Sequence, residues 1–278
     1  MIIAIASGKG GTGKTTVAVN LALSLENVQV LDTDVEEPNA NVLLHANISE
    51  EKDVIVSVPK INDDRCTYCG KCSEFCAYNA LAVVPNKTLV FPDFCHSCKG
   101  CALVCPEDAI DWKDRIIGKI KKGESKNLEL VEGDLNLGES MAILVIKAVK
   151  RESNTDRLVI IDAPPGTSCP VMESIEDCDF VVLVTEPTPF GLHDLKLMVD
   201  VVRKLNKKFG VVINRSDVGD NQVKFYCQKE EIPILMMIPH QMNIASLYSD
   251  GEPFVLHLEE WKEKFIDLKE QINNEVFP

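Results

Sequence analysis

The feature that most constrains this 278-residue chain lies in its first sixteen positions. An apolar run, Ile2-Ile3-Ala4-Ile5-Ala6, passes directly into Ser7-Gly8-Lys9-Gly10-Gly11-Thr12-Gly13-Lys14-Thr15-Thr16, and a helix-compatible stretch from Val17 to Leu25 follows. This order of buried strand, glycine loop and helix is the context in which GxxxxGK[ST] cradles phosphate. The glycines let consecutive N–H groups converge, and the helix N-terminus adds positive partial charge. Lys14 is expected to reach the terminal phosphates and the Thr15 hydroxyl to hold magnesium. A loop of this kind belongs at the carboxyl edge of a doubly wound, mostly parallel α/β sheet.

Further strands follow in a compatible order. Val28 to Leu31 ends in Asp32-Thr33-Asp34, and the continuous apolar run Leu158-Val159-Ile160-Ile161, suited to a central parallel strand, ends in Asp162-Ala163-Pro164-Pro165-Gly166. Asp162 is placed to hold magnesium through its water shell. Gly166 lies where a backbone amide could sense the terminal phosphate, so hydrolysis is expected to alter the segment from Asp162 to about Ile175. Later runs, Phe180 to Val184, Val211 to Ile213 and Ile234 to Met237, lead into Asn214-Arg215 and Ile238-Pro239-His240, where a doubly wound sheet reads its ligand.

Between Lys14 and Asp162 the chain carries Cys66-x2-Cys69-x2-Cys72-x3-Cys76 and repeats it 29 residues later as Cys95-x2-Cys98-x2-Cys101-x3-Cys105-Pro106. Ala80-Leu81 matches Ala109-Ile110 at the same offset, which predicts two stacked half-units. Four cysteines this crowded do not suit one tetrahedral zinc ion, and with no secretory segment disulfides are not expected. Each run has the spacing of a bacterial two-cluster ferredoxin. That resemblance implies two 4Fe-4S clusters, one held by Cys66, Cys69, Cys72 and Cys105, the other by Cys95, Cys98, Cys101 and Cys76. Ala77 stands where the second run has Pro106, which predicts a looser turn behind Cys76.

Lys9 is unusual, because an ordinary phosphate loop has no need of a lysine so early. In Lys9-Gly-Gly-Thr-Gly-Lys-Thr15 the chain resembles the deviant Walker A ATPases: MinD, ParA, Mrp and the nitrogenase iron protein. The resemblance implies a homodimer in the ATP-bound state, with Lys9 reaching across the interface to the other subunit's phosphates. It makes Lys9, Lys14, Asp34 and Asp162 the catalytic set, Asp34 as the switch aspartate that orients or activates the attacking water and Asp162 as the Walker B carboxylate. It also makes Asn214 the adenine reader and lays Pro239 along the base. Asn214-Arg215-Ser216-Asp217 differs from the guanine motif NKxD by Arg for Lys. That replacement is not neutral at a packed contact, so ATP is favoured and GTP stays open.

Lys14 and Asp162 lie on opposite sides of the cysteine block. One ATPase is therefore expected in two parts, residues 1–58 and 114–278, interrupted at 59–113 by a small α+β ferredoxin-like domain. Val54 to Val58 leads in, Ile116 to Ile120 and Leu128 to Val131 lead out, and no flexible linker of Gly/Ser or Pro-rich kind separates them, so a firmly docked module is expected.

A formal charge of −14 disfavours non-specific nucleic-acid binding, which depends on Lys and Arg at phosphates. No run approaches the roughly 20 apolar residues of a membrane span, and Met1 leads at once into a strand, so a cytoplasmic protein is expected. Leu258, Trp261, Phe265, Leu268 and Ile272 have helical spacing. Their polar face carries Glu259, Glu260, Glu263, Asp267 and Glu270 against Lys262, Lys264 and Lys269, which marks a packing helix and not a lipid-binding one. Of the remaining cysteines, Cys178 and Cys227 read as small core residues. Cys169 lies seven residues after Asp162, where the nitrogenase iron protein contributes a cluster ligand, and both an inert thiol and a transfer thiol stay open.

The resemblance implies an ATP-hydrolysing dimeric iron-sulfur protein acting with an unidentified redox or metal-cofactor partner, and the acidic charge makes neither nucleic acid nor membrane an expected partner. Assembly or delivery of metal-sulfur cofactors stands first. An ATP-gated low-potential electron donor and a redox-sensing positioning ATPase are the alternatives. The pair of closely spaced C-terminal cysteines found in Mrp carriers is missing.

Overall fold

The computed structural model describes residues 1–276. Its strands, in chain order, are β1 (Ile2–Ala6), β2 (Val28–Asp32), β3 (Asn47–Ile61), β4 (Leu81–Val84), β5 (Lys87–Val90), β6 (Ile110–Ser125), β7 (Leu128–Leu135), β8 (Leu158–Asp162), β9 (Phe180–Thr185), β10 (Lys208–Asn214) and β11 (Ile234–Ile238). Nine form one sheet in the order β11-β10-β9-β1-β8-β2-β7-β6-β3. Every pairing from β11 to β7 is parallel. Between β6 and β7 only Lys126 and Asn127 intervene, a connection short enough to join only antiparallel neighbours.

The residues explain the order. β1, β8 and β9 are almost wholly buried, as strands covered by helices on both faces must be, and they are apolar up to their last residue. From β1 the chain moves one way to β2. After β8 it moves the other way, through β9 and β10 to β11, so a topological switch lies at β1. Register then decides what meets there: Ile5 pairs with Asp162 and Asp32 with Asp162, so two acidic strand ends and the start of the glycine loop share one edge. The helix expected from Val17 begins at Lys14 and ends at Leu23, because Gly13, at φ 92°, completes the loop and leaves Lys14 free to open the first turn.

The last helix, Glu259–Val276, buries Trp261, Phe265, Leu268 and Ile272. Trp261 packs edge-on to Phe254, ring centroids 5.6 Å apart, and the Lys264 ammonium lies 3.9 Å from its ring centroid. This is the packing helix that its charge pattern implied. Trp261→Ala is expected to cost about 3–5 kcal/mol through the cavity it leaves, measured as a lowered denaturant midpoint. An unchanged midpoint would show that this helix does not contribute to the core.

The described chain divides into two compact units, residues 1–52, 120–134 and 143–276 in the first and 53–119 with 135–142 in the second. The long strands β3 and β6 contribute residues to each. Of the positions read from sequence as joints, Pro59, Lys60 and Ile61 close β3 and Asn62 follows it, and Asp111, Trp112 and Lys113 belong to β6.

In the second unit the antiparallel pair β4–β5 accompanies two short helices, Lys71–Phe75 and Gly100–Leu103, over a small core of Leu81, Cys101 and Ile110. The sequence repeat is a backbone repeat. Left-handed residues occur at Tyr68, Gly70 and Asn79 and again, 29 positions on, at Ser97, Lys99 and Asp108, and the matched Ala80-Leu81 and Ala109-Ile110 are all buried.

Candidate functional site

The glycine loop lies at the switch point, between the end of β1 and the helix Lys14–Leu23. Two of its glycines are required by close approach. A Cβ on Gly8 would sit 2.4 Å from the Asp194 carbonyl oxygen, and one on Gly13 would sit 2.5 Å from Asn214 Nδ2. Gly11 has a positive φ as well, and a Cβ on Gly10 would meet nothing. Lys14 and Thr12 are buried. The Thr12 hydroxyl, shielded from water, has no hydrogen-bond partner.

Opposite the loop stands Asp162, fully buried, with neither carboxylate oxygen hydrogen-bonded. Burial pushes its pKa up to about 7; the Thr15 hydroxyl and the Lys14 ammonium pull it back without completing a hydrogen bond, and Asp34 adds repulsion. An isolated buried carboxylate is costly, and one that faces a lysine and a threonine hydroxyl is suited to magnesium with its water shell. Asp34 rises to about 6, first through burial, with Lys14 opposing the shift and Glu37 and Glu36 adding to it.

Asp32 is a site residue that the sequence reading passed over. It accepts backbone N–H bonds from Asp34, Asn39 and Ala40, each at 3.0 Å, and so fixes the loop that presents Asp34. Burial, followed by repulsion from Asp162, raises its pKa. Thr33 ties the same loop across to β8, its backbone N–H and its hydroxyl each donating to the Asp162 carbonyl at 2.9 Å. The available signal was the spacing of two acids around a threonine at a strand end. Gly166, expected to sense phosphate, donates its N–H to the Ser7 carbonyl at 3.0 Å, which joins the segment after Asp162 to the root of the loop.

A cavity of about 310 Å³ opens beside the loop, lined by Gly11, Gly13 and Thr16 on one side and by Asn214, Arg215, Pro239, His240 and Tyr248 on the other. The expected base-reading residues therefore share one wall. Asn214 also serves the loop: its Nδ2 donates to the Thr12 carbonyl at 2.9 Å, and its Oδ1 accepts the Arg215 N–H at 2.9 Å. Lys9 lies 3.5 Å from Glu186, whose other oxygen accepts from Arg215 at 2.7 Å. Glu186 was also passed over, since nothing in its sequence neighbourhood distinguishes it.

In the second unit the eight repeat cysteines fall around two cavities. Cys66, Cys69, Cys72 and Cys105 line one, and Cys76, Cys95, Cys98 and Cys101 line the other. Each set draws three cysteines from one run and the last from the other. Backbone N–H groups of Ala80 and Ala109 donate to Cys76 and Cys105 Sγ, both at 3.3 Å, and the Ser97 N–H donates to Cys95 Sγ at 3.4 Å. Cys66 Sγ lies 3.7 Å from the Thr88 hydroxyl. Among the described residues no three His, Cys, Asp or Glu side chains converge closely enough to hold a single ion. All eleven cysteines are free of disulfides. Cys178 and Cys227 are buried, which pushes both thiols up to about 11, and Cys169 is exposed. No helix is long and apolar enough to cross a membrane among the described residues.

A glycine loop at the switch of a mostly parallel sheet, faced by acidic strand ends, defines a P-loop nucleotide-binding protein. More particularly, the chain belongs to the CobQ/CobB/MinD/ParA nucleotide binding domain family, whose model matches residues 3–254. It is 33% identical over 278 aligned residues to an uncharacterized protein of Methanocaldococcus jannaschii, covering 98% of this chain and 95% of the relative. It is 25% identical over 295 aligned residues to an iron-sulfur cluster carrier protein of Pyrococcus horikoshii, covering 99% of this chain and 86% of the other. Among solved structures, the septum site-determining protein MinD of Pyrococcus horikoshii, complexed with Mg-ADP, superposes with a TM-score of 0.60 at 20% identity, covering 98% and 96% of the two chains. That likeness establishes the MinD-like α/β fold.

Proposed function

We propose that this protein is an ATP-hydrolysing iron-sulfur protein that couples a nucleotide switch to two 4Fe-4S clusters and serves in the assembly or delivery of metal-sulfur cofactors. The observation that carries the reading is the crossed three-plus-one sorting of eight thiols around two cavities, in a chain that also has a complete phosphate loop. The name of the Pyrococcus relative, iron-sulfur cluster carrier protein, agrees with it.

In this reading residues 59–113 are a ferredoxin-like insert. The clusters supply one-electron chemistry or transferable iron and sulfide when bound, and the N–H donors from Ala80, Ala109 and Ser97 stabilise thiolate charge. In the nucleotide site Lys14 neutralises the terminal phosphates, Thr15 and Asp162 hold magnesium, and Asp34 orients the attacking water. Asn214, Arg215 and Pro239 hold the base. Lys9 acts on the nucleotide of a second copy of the chain. An ATP-gated electron donor is the second reading, favoured by the backbone N–H groups that donate to Cys76, Cys95 and Cys105 Sγ, since hydrogen bonds to the sulfurs tune a cluster's potential.

Protein isolated without oxygen is expected to contain about eight iron and eight acid-labile sulfide per chain, as two four-iron clusters require. Cys105→Ser and Cys76→Ser should each impair a different cluster, seen as loss of one of two electron paramagnetic resonance signals. Iron-free protein, or the same signal lost in both variants, would remove the cluster reading. Labelled iron distinguishes the two functions: label passed to an acceptor protein upon ATP addition marks assembly, and label retained while the acceptor is reduced marks electron donation.

A further inference from the structure

Glu186 is the first residue after β9, one strand away from β1, whose end feeds the phosphate loop. Its side chain is only 10% exposed and bridges two cations: Oε1 accepts from Arg215 Nη1 at 2.7 Å, and Oε2 lies 3.5 Å from Lys9 Nζ. The backbone beneath it is fixed. Its carbonyl accepts the Thr188 N–H at 2.8 Å, a Cβ on Gly191 would come within 2.2 Å of that carbonyl, and the Thr188 hydroxyl caps the helix Pro189–Lys204 by accepting the Gly191 N–H.

The contacts form a ring that begins and ends in the phosphate loop. Thr12 is bonded to Asn214, Asn214 to Arg215, Arg215 to Glu186, and Glu186 is paired with Lys9. Mobility within the ring is unequal. The Lys9 and Arg215 side chains are 33% and 52% exposed and can swing away, whereas Glu186 cannot follow them. A lysine that must leave its own subunit to reach another is therefore held at home by an anchored carboxylate, and Arg215 weakens that hold by sharing the same charge.

We propose that Glu186 is a positioning residue that retains Lys9 on its own subunit, so that a second copy of the chain assembles over nucleotide only when phosphate displaces this carboxylate from Lys9. The inference rests on the reading above, in which Lys9 acts across an ATP-bound dimer. Glu186 then sets the protein concentration at which ATP assembles the pair. The hold is broken twice per symmetric dimer, so its effect is doubled in the assembly equilibrium.

The test is light scattering of the full chain over a concentration series, anoxically, with magnesium and a non-hydrolysed ATP analogue, with analogue binding measured on the same samples. Glu186→Gln is expected to halve-saturate as a dimer at a concentration about tenfold lower than the parent, two part-exposed ion pairs being removed, with monomer affinity for the analogue unchanged. With the analogue saturating, so that any base binding lost at Arg215 is made up, Arg215→Ala should shift assembly the opposite way, since Glu186 then serves Lys9 alone. In a Lys9→Ala background Glu186→Gln should change nothing further. A purely structural Glu186 would instead lower the melting temperature and weaken analogue binding without favouring the dimer. Normal analogue binding and dimerisation with no gain from Glu186→Gln overturns this proposal alone. A parent chain that binds no analogue overturns the nucleotide reading and this proposal together.

Discussion

Lys14→Met is expected to reduce ATP turnover by a factor on the order of 10²–10³, the usual consequence of removing one preorganised group that stabilises developing charge. Lys14 is buried beside two carboxylates, and it lowers the pKa of both Asp34 and Asp162. Its loss therefore acts twice. The terminal phosphates lose a cation, and both carboxylates move further toward the protonated form, in which Asp162 attracts magnesium less and Asp34 is a poorer partner for water. The measurement is steady-state phosphate release against pH. The variant should lose turnover everywhere and recover part of it at high pH, as the carboxylates ionise. A uniform loss without that recovery would mean that Lys14 serves the phosphates alone.

The patterns legible in the sequence are those whose chemistry requires contiguous residues. The glycine loop is readable because strand, loop and helix are contiguous, and the close approaches at Gly8 and Gly13 explain why side chains are excluded there. The cysteine repeat is readable for the same reason, and its backbone counterpart, left-handed residues recurring at the cysteine offset, was implicit in it. Asp32 and Glu186 were not readable, because their roles come from register and turn geometry. Asp32 is adjacent to Asp162 only through the pairing of β2 with β8, and Glu186 meets Lys9 and Arg215 only because β9 lies beside β1 and β10. The extents of β3 and β6 were underestimated for a related reason. The charged residues Glu50-Glu51-Lys52-Asp53 and Lys121-Lys122, outside the apolar runs that mark Val54 to Val58 and Ile116 to Ile120, carry no apolar strand signal, yet several are taken up in ion pairs, Lys52 and Lys122 with Glu152 and Lys121 with Asp134. Ion pairing between segments distant in sequence leaves no local signature.

Asp162→Asn should abolish magnesium-dependent turnover while making the nucleotide-free protein more stable at pH 8, on the order of 1–3 kcal/mol for removal of an uncompensated buried charge. The sign follows from linkage. The folded pKa of about 7 lies above the ordinary carboxylate value of 3.8, so between these limits the folded state binds more protons than the unfolded one, and stability falls as pH rises through that window. Below about pH 4 both states are protonated and the penalty vanishes; above about pH 7 it is fully present. Because Asp32 titrates against Asp162, the slope belongs to the pair, and Asn at 162 should flatten it while returning Asp32 toward its ordinary range. Melting temperatures of parent and variant at pH 5.5 and 8 measure the effect. The difference should favour Asn at both, by about half as much at the lower pH, which lies midway in the window, and reverse when magnesium and nucleotide are added, since only the parent gains the full binding contribution. A carboxylate kept at such cost in the empty site is the mark of a position selected for its ligand, and a parent as stable as its Asn variant at pH 8 without nucleotide would contradict that account.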